Sequence, residues 1–253
     1  MEVLLEVNLT ADDAITIRRL ARSVGREYGS SDDAGLLRDL NDLVREMPAV
    51  AAGLPDYMES PEADVVVIHN HMVSDVNLGP TPTSWKAPRA TATSLEYEMV
   101  VMLYGALLGS VFGWETQQDG HIVNDIIPSG SSSDQQARAG SDVELAWHAG
   151  DAFHPGRADY VCLFCLRNPN EARTTVASLV EVPETEPLPP VLSEVVLKPG
   201  DLLVLGNRRA VHGRRPFQPT FSDRDSWLKQ LMVAVDFESR SPYCADASRR
   251  LLA

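Results

Sequence analysis

Residues 143–161 read VELAWHAGDAFHPGRADYV. His148 stands at the edge of an extended segment, Gly150 follows two residues later, and Asp151 comes next. Side chains on a strand alternate with period two, so positions 148 and 150 share a face and Asp151 points to the other. Two ligands on one strand need this i, i+2 spacing, and here the second position has no side chain. The chain then runs on into ADYVCLFCLRN (158–168), an apolar stretch that reads as a buried strand.

Outward from that segment the second half is rich in strand signals. RTTVASLVEV, SEVVLKPGDLLVLGNRRAVHG and WLKQLMVAVDF are short β segments punctuated by Pro, Gly and Asn, with KPGD (198–201) as a turn. The first half reads differently. Residues 10–50 carry helical periodicity, with Thr10 (Asp13 three residues on) and Ser31 as expected N-caps. ADVVVIHNHMV (63–73) reads as a strand, 94–114 as a mostly buried helix, and GHIVNDIIPSG as a strand. The polar run at 129–142 reads as a mobile loop beside the His148 segment. Helices first and short strands afterwards predict an α+β fold. Its core would be a sandwich or barrel of antiparallel strands, in one domain over 1–253 with a helical part at 1–60.

The composition narrows the partners. A chain of 253 residues with 44% hydrophobic and 23% charged residues has the makeup of a globular protein with a sizeable core. A net charge of −14 argues against nucleic-acid polymers and anionic membranes. It accommodates a small cationic or zwitterionic substrate. No window approaches the roughly 18 apolar residues of a membrane span, and the acidic start MEVLLEVNLTADDA lacks a basic leader. Cys162, Cys165 and Cys244 form no disulfide framework or zinc set, so a reducing cytoplasm is the expected location.

Six histidines are present. His69, His71 and His121 read as structural, whereas His148 and His212 each sit at a strand edge. WHAGDAFHPGRADYVCLFCLRN together with NRRAVHGRRPFQPTF…WLKQ resembles the clavaminate synthase-like group of Fe(II)/2-oxoglutarate-dependent oxygenases. LGPTPTSW, QQDGHIVNDIIPSG and the N-terminal helical region extend the likeness over most of the chain. The resemblance implies a double-stranded β-helix (a cupin-like jelly roll) flanked by helices. It also implies His148 and His212 as iron ligands, with 2-oxoglutarate and O2 as co-substrates. Two imidazoles and one carboxylate on one face of Fe(II) leave positions for both. His154 and Arg157 match family residues that support the motif.

In that family the first segment reads His-Thr-Glu-Asp-Ala-Phe-His, and Gly150 replaces the glutamate. The His-X-Gly form is similar to the radical halogenases of the superfamily, in which chloride fills the vacated place. The sequence reading therefore leads to a chlorinase of a small polar substrate, a free amino acid favoured, with chloride at Gly150. Asp151, as in the amino-acid halogenases, is implied to hold the substrate amine. A hydroxylase or desaturase that uses Asp151 or water at the third position, and a non-catalytic jelly-roll relative, are the alternatives. The family places arginines fourteen and eighteen residues past the distal histidine, where this chain has Ser226 and Gln230. Arg224 is the expected replacement for binding 2-oxoglutarate, with Arg214, Arg215 and Lys229 also at hand. Thr175 matches a family threonine that touches the co-substrate. Arg89 and Trp227 are the expected substrate contacts, and Glu115 and Asn124 are weaker polar candidates.

Overall fold

The apolar runs at 65–69, 160–167, 202–206 and 227–234 carry buried side chains on both faces. Only a sheet covered on both sides hides such strands. The computed structural model describes residues 4–60, 63–86, 92–128, 144–179 and 193–253. Its strands are β1 (Leu4–Asn8), β2 (Val65–His69), β3 (Ser110–Trp114), β4 (Val123–Ile126), β5 (Leu145–His148), β6 (Tyr160–Arg167) and β7 (Arg173–Ser178). Then come β8 (Ser193–Val196), β9 (Leu202–Gly206), β10 (Ala210–Arg214), β11 (Trp227–Ala234), β12 (Cys244–Asp246) and β13 (Leu251–Leu252). The helices are α1 (Ala11–Tyr28), α2 (Ala34–Leu43), α3 (Ala49–Ala52), α4 (Leu54–Glu59), α5 (Asp75–Leu78) and α6 (Ala92–Leu108).

The large sheet has the order β1-β2-β9-β6-β11-β3-β13-β12, with β4 also paired to β11. A smaller sheet, β5-β10-β7-β8, faces it. Val65, Val67, Val161, Leu163, Leu203, Leu205 and Met232 pack against Val176, Val195 and Ala210 of the small sheet. The intervening residues, among them Val66, Ile68, Cys162, Phe164, Leu202, Val204, Leu231 and Val233, pack against α1, α2 and α6. This is the jelly roll flanked by helices that the sequence implies. Cys162 and Cys165 fall on opposite faces of β6, which removes them as a chelating pair. No helix among the described residues is long and apolar enough to cross a membrane.

The structure corrects three sequence expectations. The N-terminal part is not wholly helical: β1 lies parallel to β2, with Leu4 beside Val65. The segment 94–114 is a helix that stops at Leu108, and Ser110–Trp114 turns back as β3 to pair with β11. A run that is apolar on all sides gives no period to separate buried helix from buried strand. Helix α1 has the expected Thr10–Asp13 capping box, but α2 is capped by Asp33, whose carboxylate accepts from the Gly35 and Leu36 amides. Ser31 instead donates its hydroxyl to Glu98 (2.7 Å).

That bond belongs to a buried charge cluster that ties α6 to the large sheet. Lys229 Nζ, only 1% exposed, lies 2.9 Å from Glu98 and 2.6 Å from Asp125, and Trp227 Nε1 also donates to Asp125. The family's strand arginines are therefore not replaced by Lys229, which is held on the helical side.

His71 is structural, as expected. Its Nδ1 donates to the Gly200 carbonyl (2.7 Å), and its Nε2 accepts from the Tyr104 hydroxyl (2.9 Å). Gly200, at φ +93°, is required in the KPGD turn, since a Cβ there would lie 2.2 Å from the His71 carbonyl. Burial is the main force that lowers the His71 pKa from 6.5 to about 4. Both states are neutral on the ring above pH 6.5. As the pH falls toward 4, the unfolded chain takes up a proton that the folded one refuses, so stability falls by up to about 3 kcal/mol. Urea unfolding from neutral pH down to about pH 4 is expected to show this extra loss in the wild type, and His71→Gln to lack it.

Candidate active site

Strands β5 and β10 run antiparallel with His148 directly opposite His212. Their ring centroids are 4.4 Å apart at 43°. The next pair in the register is Leu145 with Arg214, so β5 carries one extra residue between these pairs. Such a bulge re-aims neighbouring side chains. Trp147 turns to the outer face of the small sheet, where its Nε1 donates to Thr175 Oγ1 (3.0 Å), while His148 stays opposite His212. His148 Nδ1 donates to the Ala146 carbonyl (3.0 Å). That bond puts a proton on Nδ1 and fixes the orientation of the ring. For His212, burial first and the adjacent His148 second lower the pKa from 6.5 to about 3, which holds the ring neutral at working pH.

The third position departs from the strand argument. Strand β5 ends at His148, and Gly150 and Asp151 lie in the turn beyond it, with Asp151 at φ +50°. The turn is pinned by a residue that the sequence reading missed. Asn207, 1% exposed, accepts from the Gly150 amide (2.7 Å) and donates to the Gly150 carbonyl (2.9 Å) and the Ala158 carbonyl (3.0 Å). An asparagine in the GNRR turn carries no sequence signal that separates this clamp from ordinary turn chemistry. A Cβ on Gly150 would meet Asn207 Oδ1 at 3.4 Å and Val161 at 3.7 Å, ordinary contacts, so the turn accepts a side chain there. Among the described residues no third His, Cys, Asp or Glu joins the imidazole pair as a metal-holding group, Asp151 included.

Several expected contacts fall elsewhere. Thr175 lies opposite Gly213 on β10 and shares the outer face with Trp147, so it is turned away from His212; Thr174, opposite Arg214, has the inward face. Trp227 is fully buried against the helices and donates to Asp125, on the far side of the large sheet from His212. Arg224 is exposed and ion-paired with Asp75, which Arg167 also holds. Arg167 foremost, with Arg224, lowers the Asp75 pKa. Ser226 is buried and donates to the Arg167 carbonyl. Arg89 and the 129–142 segment lie outside the described residues. His154 packs edge-on against Trp114 and Tyr243, and Arg157 donates to the Ala152 carbonyl, both bracing the turn. Glu115 is exposed. A separate cleft of about 480 Å³, lined by Asn170, Arg173, Glu194, Arg215 and Phe217, is away from the histidines, and Glu194 holds both of its arginines.

Facing the interior between the sheets are three buried polar atoms, on two side chains, that have no hydrogen-bond partner among the described residues. Asn124 on β4 is 3% exposed, and neither of its amide atoms has a hydrogen-bond partner among the described residues. Its neighbours Val123 and Asp125 face the helices, so Asn124 faces the small sheet. Arg214, half-buried on β10, has its Nε shut off from solvent without an acceptor among the described residues, and burial lowers its pKa. Two opposed imidazoles, that of His212 held neutral by burial, suit a divalent iron ion, and orphaned polar atoms facing the same interior suit a polar ligand beside it. The residues present therefore fit iron with a small organic anion.

No family model matches the chain. It is 28% identical over 97% of its length to an enduracididine β-hydroxylase of Streptomyces hygroscopicus, covering 99% of that protein. It is likewise 28% identical over 89% of its length to an L-ornithine/L-arginine 3-hydroxylase of Catenulispora acidiphila, covering 93%. These alignments run over 338 and 318 positions, longer than the 253-residue chain, so both relatives carry residues between the shared segments that this chain lacks. Among solved structures, the non-heme iron oxygenase OrfP in complex with Fe, succinate and (3S)-hydroxy-L-Arg matches with a TM-score of 0.88 and 32% identity. That match covers 98% of this chain and 99% of OrfP. OrfP has also been solved with Fe and α-ketoglutaric acid. These proteins are hydroxylases and oxygenases, and none of them is a halogenase. They favour the hydroxylase alternative over chlorination and lend no support to chloride.

The Asn207 clamp makes its own test. Asn207→Ala strands the Gly150 and Ala158 carbonyls and the Gly150 amide, and is expected to cost about 1–3 kcal/mol of stability in urea unfolding.

Proposed function

The chain belongs to the clavaminate synthase-like group of Fe(II)/2-oxoglutarate-dependent oxygenases, and from that premise we propose that it oxidises an unactivated C–H bond of a free basic amino acid, with hydroxylation as the leading outcome. The observation that carries this reading is the β5–β10 register, which sets the two imidazoles directly opposite each other, their centroids 4.4 Å apart. The fold around them matches an oxygenase solved with L-Arg. Relatives named as hydroxylases of enduracididine, ornithine, arginine and lysine, with an asparagine oxygenase beside them, support a free amino acid, a basic one foremost, as the substrate.

His148 and His212 would hold the iron, which with a 2-oxo acid and O2 supplies the oxidant. The contribution of this chain is placement. The Ala146 carbonyl orients His148, burial keeps His212 unprotonated, and the Asn207 clamp holds the turn at Gly150. Asp151 is assigned to the substrate ammonium. Val161, Leu163 and Met232 belong to the apolar core between the two sheets.

Halogenation is the second reading, and one observation favours it. No third His, Cys, Asp or Glu among the described residues joins the pair, so Gly150 leaves room for an exogenous anion such as chloride.

Assembly with Fe(II) and 2-oxoglutarate under nitrogen, followed by O2, tests both readings. L-Arginine, L-ornithine or L-lysine is expected to gain one oxygen atom as succinate forms, read by mass spectrometry. His148→Ala and His212→Ala are each expected to weaken Fe(II) binding by more than about tenfold, the loss that even outer partners of a metal site show. A chlorinated product under saturating chloride moves the assignment to the second reading. Gly150→Asp then loses chlorination. Turnover of none of these amino acids overturns the substrate class.

A further inference from the structure

Buried polar groups in folded proteins almost always have partners, and the exceptions ask for a ligand or a bound molecule. Most cations near the site are satisfied. Arg167 donates to Asp75, Thr81 and the Gly79 and Asp223 carbonyls. Arg240 donates to Asp159 and to the Gly156, Asp236 and Arg157 carbonyls. Lys229 sits between Glu98 and Asp125, and Arg224 is on Asp75. Arg214 is different: its Nε is sealed from solvent with no acceptor among the described residues, and its guanidinium carbon lies 4.9 Å from the centre of the Phe217 ring.

The place of Arg214 in the fold gives this meaning. It is two residues after His212 on β10, so it shares the face that carries the imidazole pair. Thr174 stands directly opposite it on β7, with a hydroxyl on the same face. From the other sheet, Asn124 presents a buried amide without partners to that interior. We propose that Arg214 is the carboxylate anchor of this site, supported by the Thr174 hydroxyl, and that the Asn124 amide is a second polar contact from the opposing sheet. A guanidinium fork is the side chain best matched to a carboxylate, and stacking on Phe217 holds it in orientation. Ser226 and Gln230 have no cation to offer at the positions where β11 would otherwise supply one. The carboxylate is either the far carboxylate of the 2-oxo acid or the α-carboxylate of the amino acid. The proposal rests on the function proposed above.

Isothermal titration of the Fe(II)-loaded protein under nitrogen reads binding without turnover. The titrants are 2-oxoglutarate, 2-oxobutanoate (the same oxo-acid head without the far carboxylate) and L-arginine. Arg214→Met is expected to weaken 2-oxoglutarate or L-arginine by more than about tenfold, the scale of a lost charge-assisted pair, and to leave 2-oxobutanoate within about twofold. Loss for 2-oxoglutarate assigns the co-substrate, and loss confined to L-arginine assigns the substrate. Arg214→Lys keeps the charge without the fork and is expected to show a smaller loss of the same kind; it serves as the probe if the Met variant does not fold. Unchanged affinity for both carboxylates, an equal loss for 2-oxobutanoate, or wild-type protein that binds neither overturns the proposal. Amino-acid oxidation with unaltered binding in Arg214→Met would remove this inference and keep the function; Arg214-dependent binding without oxidation would do the reverse.

Discussion

The pairing of β5 with β10 is the contact on which the site depends. His148 and His212 are 64 positions apart by their numbers in the chain, and neither has metal-binding meaning alone. Antiparallel register makes them direct neighbours, because opposed residues on one face come within about 5 Å at Cβ. Strand alternation then turns Trp147 outward to Thr175 while His148 stays opposite His212. Neutrality follows from the same placement, since burial and the adjacent ring hold His212 unprotonated. Strand register thus brings the two imidazoles together, and desolvation keeps that of His212 unprotonated.

The two faces of the large sheet separate structural charge from functional polarity. Toward the helices, buried charges are answered: Lys229 by Glu98 and Asp125, and Glu96 of α6 by Arg18 and Arg22 of α1. Breaking such a buried set leaves an uncompensated charge, which makes it a clamp between α6 and β11. Toward the small sheet, Asn124 and the Arg214 Nε are left without partners among the described residues. The same chain satisfies its polar groups on one side and leaves them open on the side where the histidines lie, a pattern that packing alone does not produce.

Gly150 gains a definite setting from its neighbours. Its peptide is held on both sides by Asn207, a buried residue of the turn that leads into β10. One asparagine therefore joins the end of the first histidine's strand to the start of the second's. The glycine does not mark a collapsed segment, because its amide and carbonyl are both bonded and the turn has ordinary space for a Cβ. The relatives point to hydroxylation, while the missing side chain keeps an anion at that place chemically reasonable.

Much of this was legible from local pattern. The two-faced apolar runs announced buried strands, the Thr10–Asp13 box announced α1, and the motif around His148 and His212 announced the jelly roll and its family. These features depend on a residue and its near neighbours, and period and capping chemistry are local. Other features were settled only by contacts between distant segments. Tertiary pairing made 4–8 a strand and split 94–114 into helix and strand. Face parity put Thr175 and Trp227 on the wrong sides for the roles expected of them, and ion pairing placed Arg224 on Asp75. A register shift of one residue reverses a side chain's face, and a salt bridge has no sequence period. So the sequence by itself determined which fold and singled out His148 and His212, whereas only the tertiary structure set those two side by side and decided which polar groups face the same interior: Arg214, Thr174 and Asn124, on two facing sheets.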